Sequence, residues 1–235
     1  MRFGVIVFPG SNCDDDMIHV LGTVMEQEVV KIWHKTTDLS TLGHFDCIVI
    51  PGGFSYGDYL RAGAIAKFSP IMQEVVDFAN KGGLVLGICN GFQVLCESGL
   101  LPGVLMRNRD QLFICNNIYL KTESTETFMS SKLSKNQVLK IPIAHADGRF
   151  YAKKDTLKAI QDNNQIVFTY CDSDGQVNDQ SNVNGSILSI AGICNKNRNV
   201  LGMMPHPERA SEQILGNIDG RYMFESLVSA LEMTV

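Results

Sequence analysis

What this 235-residue chain lacks removes several classes of function at once. No run approaches the roughly 20 apolar residues that a membrane-crossing helix requires. The opening MRFGVIVFPG is too short for a signal segment and reads as a first buried strand. No Lys/Arg cluster interleaved with aromatics occurs, and a formal net charge of -5 gives phosphate backbones no counterion, so nucleic acid is not an expected partner. There is no G-x-x-x-x-G-K-[ST] loop, and no two glycines are spaced to begin G-x-G-x-x-G, so nothing here is built to cradle a nucleotide. The seven cysteines are an odd number, scattered at positions 13, 47, 89, 96, 115, 171 and 194 without a C-x-x-C pair. That excludes a zinc or redox pair of that type and points to a reducing cytoplasm, with no metal and no cofactor expected on the chain.

What is present is ordinary globular usage, 45% hydrophobic and 19% charged, and the length suits one α/β domain spanning 1–235. The first half alternates. FGVIVF, EVVKIWH, FDCIVI and LVLGIC read as buried strands, with Cys47 packed in the third. Between and after them, SNCDDDMIHVLGTVM, SPIMQEVVDFANKGG and GFQVLCESG read as helices. The first has Ser11 and Asn12 as cap-type residues, the second has Ser69 as N-cap with Pro70 at its first position, and the third is closed by Gly99. Continuous apolar strands separated by helices predict a mostly parallel sheet covered on both faces. The second half, with FICNNIYLKT, QVLKIPIAH, IVFTYC and SILSIAGICNKNRNVLGMM, predicts strands with few helices between them, a hairpin at NKNRN, and Cys194 in a strand. This is an antiparallel extension of the sheet, closed by a helix in GRYMFESLVSALEM. Residues 122–135, TESTETFMSSKLSK, read as an exposed loop.

One stretch raises the question of chemistry. Gly87-Ile88-Cys89-Asn90-Gly91 places a cysteine where a strand meets a helix, at the spacing of the G-x-S-x-G nucleophile elbow. Ligands of open parallel sheets bind at such carboxyl ends. A helix N-terminus and a neighbouring imidazolium both favour a thiolate, yet G-x-C-x-G alone is as compatible with packing glycines as with a working elbow. A base is therefore needed. His19, His34 and His44 read as surface or structurally satisfied side chains. His206, in MMPHPERA, follows an apolar strand and is held extended by Pro207, which directs it to the same side as Glu208. Cys89, His206 and Glu208 thus form an ordered nucleophile, base and orienting acid.

GICNGFQ, the upstream IPGGFSYGDY and the C-terminal GMMPHPER together resemble the class I, or triad, glutamine amidotransferase family. FPGSNCDDD, GFSYGDYLRAGAIA, GLLPG, NGSILSIAGI and NVLGMMPHPERA extend that likeness along almost the whole chain, to the glutaminase subunits of bacterial phosphoribosylformylglycinamidine synthases. The resemblance implies a flavodoxin-like domain in which Cys89 attacks the side-chain amide of L-glutamine, with His206 and Glu208 completing the triad. It also implies an oxyanion hole from the backbone N–H groups of Gly53 and Asn90, and substrate contacts from Gly52, Gln93 and His145. Gln93 lies one helical turn beyond the nucleophile, facing the same side. The family often has AHGEGRF where this chain has AHADGRF, so Ala146 and Asp147 depart from the pattern and the role of His145 stays open. Phe92, Leu95 and Cys96 are spaced as an apolar helix face, which makes Cys96 a core thiol.

The resemblance further implies partners: a large ATP-dependent synthetase subunit, which would hold ATP and Mg2+, and a small accessory subunit. The ammonia released here would convert formylglycinamide ribonucleotide to formylglycinamidine ribonucleotide on the way to IMP. GFSYGDYLRAG is the candidate contact surface, being polar, aromatic and next to the oxyanion loop. Another cysteine hydrolase on the same fold, or a non-catalytic scaffold subunit, remain alternatives. Glutaminase activity separates the first, and a Cys89→Ala variant the second.

Overall fold

Four short apolar runs make the parallel half of the central sheet. In the computed structural model, which describes residues 1–232, β1 (Arg2–Val7), β2 (Glu28–Trp33), β3 (Cys47–Ile50) and β4 (Leu84–Ile88) pair in the order β2-β1-β3-β4, all parallel. β1, β3 and β4 are buried along almost their whole length, which is why they read as unbroken hydrophobic runs rather than alternating ones. The intervening helices are α1 (Asp14–His19), α2 (Pro70–Asn80) and α3 (Asn90–Glu97).

The remaining elements are β5 (Val104–Met106), β6 (Ile114–Thr122), β7 (Val138–His145), β8 (Arg149–Tyr151), α4 (Lys154–Asp162), β9 (Ile166–Cys171), β10 (Ile190–Cys194), β11 (Val200–Met203) and α5 (Asp219–Glu232). β11 lies parallel to β4 and antiparallel to β10, so it joins the two halves into one nine-stranded sheet, β2-β1-β3-β4-β11-β10-β9-β6-β7. The expected antiparallel extension and the NKNRN hairpin are both present, and β5 and β8 form a separate two-stranded ribbon. Cys47, Cys96 and Cys194 are buried in the core, as their apolar settings indicated.

Three expectations need correction. The first helix starts later than SNCDDD suggested: Cys13 is its N-cap, without a side-chain cap bond, because Ser11 is used in a tight turn with Phe8. Beyond His19 it continues as a π-helical turn over Val20–Val24. Residues 122–135 are not an exposed loop. Phe128, Met129 and Leu133 are buried, Thr127 and Ser130 satisfy each other's hydroxyls, and the Lys132 backbone N–H donates to Ser226 of α5. The hydroxyl-rich composition that resembled a solvated loop instead supplies turn-closing hydrogen bonds. Helix α4 was not foreseen, since of its nine residues only Ile160 is buried and one anchor makes no periodic signal.

Candidate active site

Cys89 lies between β4 and α3 with φ 51° and ψ -105°, a left-handed backbone that a cysteine adopts only under constraint. The constraint comes from close packing on both sides. A Cβ on Gly87 would stand 2.5 Å from Leu95 Cδ1 and 2.7 Å from the Gly91 carbonyl, and one on Gly91 would collide with the Ile50 carbonyl. The Cys89 N–H donates to the Met203 carbonyl at 2.8 Å, pinning the elbow to the neighbouring strand β11. The thiol therefore sits at the α3 N-terminus, where the helix dipole favours negative charge.

The same strand delivers the base. His206 follows β11, is 1% exposed, and its Nδ1 bonds Glu208 Oε1 at 2.6 Å. The contact spans two residues as the sequence suggested, but not along an extended strand: His206, at φ -104° and ψ 86°, caps a one-turn helix at Pro207–Ala210 that carries Glu208. Nε2 is buried, and with Nδ1 taken by Glu208 it is the ring nitrogen left to interact with the Cys89 side chain. Burial works against the imidazolium, but attraction to Glu208 and to Cys89 outweighs it and raises the His206 pKa. Glu208 is itself buried, so the pair is an ion pair sealed from solvent when His206 is protonated.

Gly52 closes the arrangement. A Cβ there would lie 2.7 Å from His206 Cε1, and 3.3 Å from both Cys89 Cβ and Cys13 Sγ, so the absence of a side chain is what lets these groups converge. Gly53 beside it, at φ 129°, is packed on Ser11 and Asn12. The loop is tied down by Phe54 N–H donating to Gly10 and Cys13 N–H donating to Gly52.

A family model described as a CobB/CobQ-like glutamine amidotransferase domain matches residues 1–226. The chain belongs to that glutamine amidotransferase family. It is 54% identical over 97% of its length to a protein of Salinibacter ruber named phosphoribosylformylglycinamidine synthase subunit PurQ, covering 96% of that protein. It is 55% identical to the protein of the same name from Moorella thermoacetica, covering 97% of this chain and 95% of the relative. Among solved structures, PurLQS from Thermotoga maritima matches with a TM-score of 0.85 and 39% identity, covering 98% of both chains. The glutaminase domain of Trypanosoma brucei CTPS matches at a TM-score of 0.59 and 13% identity, covering 97% and 94%, a likeness of fold alone.

Within this amidotransferase the other expected site residues are placed unequally. Gln93 is buried on α3 and its amide is engaged internally: Oε1 accepts from Asn90 Nδ2 at 2.8 Å and Nε2 donates to the Asp147 carbonyl at 2.7 Å. His145 ends β7 with its ring against Gly148 and Nδ1 bonded to Asn108 Oδ1 at 3.1 Å. Asn108 Nδ2 donates to the Leu112 and His145 carbonyls, which orients its oxygen as acceptor and so makes His145 Nδ1 the donor. Burial, with His206 adding repulsion, lowers the His145 pKa to about 4, so this second histidine is neutral. Its Nε2 is buried without a partner among the described residues.

Three contributors escaped the sequence reading. Cys13 accepts from Arg209 Nη2 at 3.0 Å, and burial pushes its thiol up to about 12 against the pull of that guanidinium. Tyr170, fully buried within electrostatic reach of Cys89, shares Asn184 Nδ2 with the Gly148 carbonyl. Asp58 accepts from Asn90 Nδ2 at 3.0 Å. Cys13 and Asp58 lie inside the quoted motifs FPGSNCDDD and GFSYGDYLRAGAIA, which signal that those segments matter without saying what each residue touches. No helix among the described residues is long and apolar enough to cross a membrane. A cavity of about 770 Å³ lies at the opposite end of the sheet, around Asp46, Gly83 and Phe128, and includes none of these groups.

Proposed function

We infer that this chain is the glutaminase subunit of a phosphoribosylformylglycinamidine synthase. It hydrolyses L-glutamine to glutamate and ammonia, and the ammonia passes to an ATP-dependent synthetase subunit that converts formylglycinamide ribonucleotide to formylglycinamidine ribonucleotide. The observation that carries the reading is identity of 54–55% to proteins of that name over nearly the full length of both. The chemistry of the cleft fits it.

Cys89 gives its thiol proton to His206 Nε2 as its sulfur attacks the side-chain amide carbon of glutamine, and the developing oxyanion is received by the N–H groups of Gly53 and Asn90. His206 gives its Nε2 proton to the departing nitrogen, so the C–N bond breaks with release of ammonia and a γ-glutamyl thioester remains on Cys89. His206, now neutral, takes a proton from water as it attacks the thioester. Glutamate leaves, and the thiol and imidazole are restored. Glu208 holds the ring through Nδ1 and favours the imidazolium at each step. Gly52 leaves space beside both reacting side chains, while Gln93 and His145 help position substrate.

No nucleotide-binding loop occurs in the sequence, so the ATP and Mg2+ that activate the acceptor amide belong to the synthetase subunit, and the chain itself needs no cofactor. A small accessory subunit completes the assembly. The likeness to PurLQS from Thermotoga maritima supports such a complex. All seven thiols are free, which suits a cytoplasmic location.

The test is glutamine hydrolysis by the purified chain, alone and with the two partner subunits, beside Cys89→Ala. Weak turnover alone and strong stimulation in the complex are expected, both abolished in the variant. Ammonia release from glutamine that survives Cys89→Ala would refute the mechanism, and none in the reconstituted complex would refute the assignment.

A further inference from the structure

The segment between β3 and α2 combines three properties that the chemistry above does not use. It is strained: Tyr56, Asp58 and Leu60 all have left-handed backbone angles, at φ 55°, 53° and 71°. Non-glycine residues persist there only when their surroundings hold them. It is anchored at both ends. Tyr56 OH bonds His34 Nδ1 at 2.6 Å and Ser69 Oγ at 2.8 Å, and Arg61 forms a two-pronged pair with Glu97. Between those anchors it is apolar and exposed, with Tyr59 75% and Leu60 90% accessible.

The inner side of the same segment grips one side chain. Asn90 Oδ1 accepts from the Ser55 N–H at 3.0 Å, and Asn90 Nδ2 donates to Asp58 Oδ1 at 3.0 Å and to Gln93 Oε1 at 2.8 Å. Every hydrogen-bonding atom of that amide is thereby committed, and two of its three bonds go to residues 55–58. Asn90 directly follows the nucleophile and is the first residue of α3. Its backbone N–H cannot be moved without moving its side chain.

We propose that Asp58 is a positioning residue that sets the Asn90 backbone N–H against the oxyanion, and that the synthetase subunit controls this bond by docking on Tyr59 and Leu60. The inference rests on the functional reading above. Ammonia set free at Cys89 must reach the acceptor site without escaping to solvent, so the synthetase subunit has to close over the mouth of this cleft. Phe54, on the loop beside Gly53, pairs its ring with Phe113 at 6.5 Å, and both are exposed, so the segment offers further apolar surface besides Tyr59 and Leu60. A partner seated there presses on the residues next to Asp58, and an already strained backbone converts that pressure into a shift of the Asn90 amide.

The experiment measures kcat and KM for glutamine hydrolysis by wild type, Asp58→Ala and Asp58→Asn, with and without the partner subunits, and complex formation by gel filtration. Removing one oxyanion donor costs about 100-fold in kcat. Asp58→Ala should therefore lose about 100-fold of the stimulated kcat with KM changed less than threefold, and should still enter the complex. Asp58→Asn, whose amide oxygen accepts the same bond, should keep more than a tenth of wild-type turnover. Leu60→Asp should fail to enter the complex. Full stimulation of Asp58→Ala, equal loss in Asp58→Ala and Asp58→Asn, or normal assembly of Leu60→Asp would each overturn the inference while leaving the functional reading intact. A wild-type chain that the subunits fail to stimulate would overturn both. Should Asp58→Ala not fold, as judged by its melting curve, Asp58→Ser carries the same comparison because its hydroxyl is too short to reach Asn90.

Discussion

Replacing Gly52 by alanine tests whether a missing side chain is what permits the active-site geometry. The φ of Gly52 lies outside the left-handed region, so an alanine backbone is tolerated and the effect isolates one methyl group. That methyl would lie 2.7 Å from His206 Cε1, whereas carbon atoms in contact settle at about 3.5–4.0 Å. Roughly 1 Å must be found. The imidazole cannot easily yield, because Nδ1 is held by Glu208 at 2.6 Å and the His206 N–H by the Pro142 carbonyl at 2.8 Å. Retreat in the other direction meets Cys89 Cβ and Cys13 Sγ, each already at 3.3 Å. A misplacement of about 1 Å costs on the order of 100-fold in rate, equivalent to about 3 kcal/mol of barrier. Overpacking should lower stability by about 1–3 kcal/mol, a melting shift of about 5 °C for a chain of this size. The assay is kcat for glutamine hydrolysis in the reconstituted complex, with the alkylation rate of Cys89 by iodoacetamide as an independent readout. A folded Gly52→Ala protein with wild-type kcat and alkylation rate would refute the claim that Gly52 spaces the nucleophile from its base.

Further outcomes follow from the buried titratable groups and from one distant cap. Glu208→Gln should lower kcat by roughly 1,000-fold while leaving the chain folded, since the imidazole loses its counterion and the amide no longer enforces the productive tautomer. The His206 pKa is raised in the folded state, so the stability this pair contributes is present below about pH 6.5 and fades as pH rises through the raised value. The melting difference between wild type and Glu208→Gln should accordingly narrow on going alkaline. His145 and Asp58 act in opposite directions on the acid side. His145, lowered to about 4, loses stability as pH falls from 6.5, because the unfolded chain binds the proton that the folded one refuses. Asp58, raised to about 6 chiefly by burial, gains stability over the same descent, because the folded chain takes up its proton first. Between pH 6.5 and 4.5, denaturant titrations should show His145→Gln gaining about 2 kcal/mol relative to wild type, while Asp58→Asn, at a partly exposed position where solvent screens the charge, should lose stability by a smaller amount. Parallel pH profiles in all three proteins would contradict the burial of these groups. Asn199→Ala, which strips hydrogen bonds from the Ala79 and Gly83 carbonyls, should cost about 2–3 kcal/mol in denaturant titration with kcat unchanged.

Much of the fold is written locally. β1, β3 and β4 are buried on both faces and therefore appear as unbroken apolar runs, and Gly82 and Gly99 end the helices before them in left-handed turns, as glycine allows. The elbow and the His-x-Glu pair were equally legible, since flanking glycines and a following proline each impose a known backbone geometry. What stayed hidden depends on convergence between distant segments. Gln93 was placed correctly on its helix, but whether its amide faces substrate or the Asp147 carbonyl is decided by a loop more than fifty residues away. The reach of Asp58 to Asn90 depends on a run of left-handed residues that no propensity favours. Residues 122–135 misled for a related reason: hydroxyl side chains that look hydrophilic, such as those of Thr127 and Ser130, can be spent on each other in closing a buried turn.

The position of β11 bears on how the molecule comes into being. It is the last strand among the described residues, yet it occupies the middle of the sheet, with β4 on one side and β10 on the other. A polypeptide emerging from the ribosome thus has two partial sheets with open edges until residues 200–203 arrive to fill the gap. Open edges are sticky, and long-range pairing is slow, so this interval is when the chain is most exposed to aggregation. The same residues carry His206 into place beside Cys89. Nascent chains consequently hold an unpaired thiol but no base to activate it, and the enzyme cannot begin consuming glutamine before its architecture is complete.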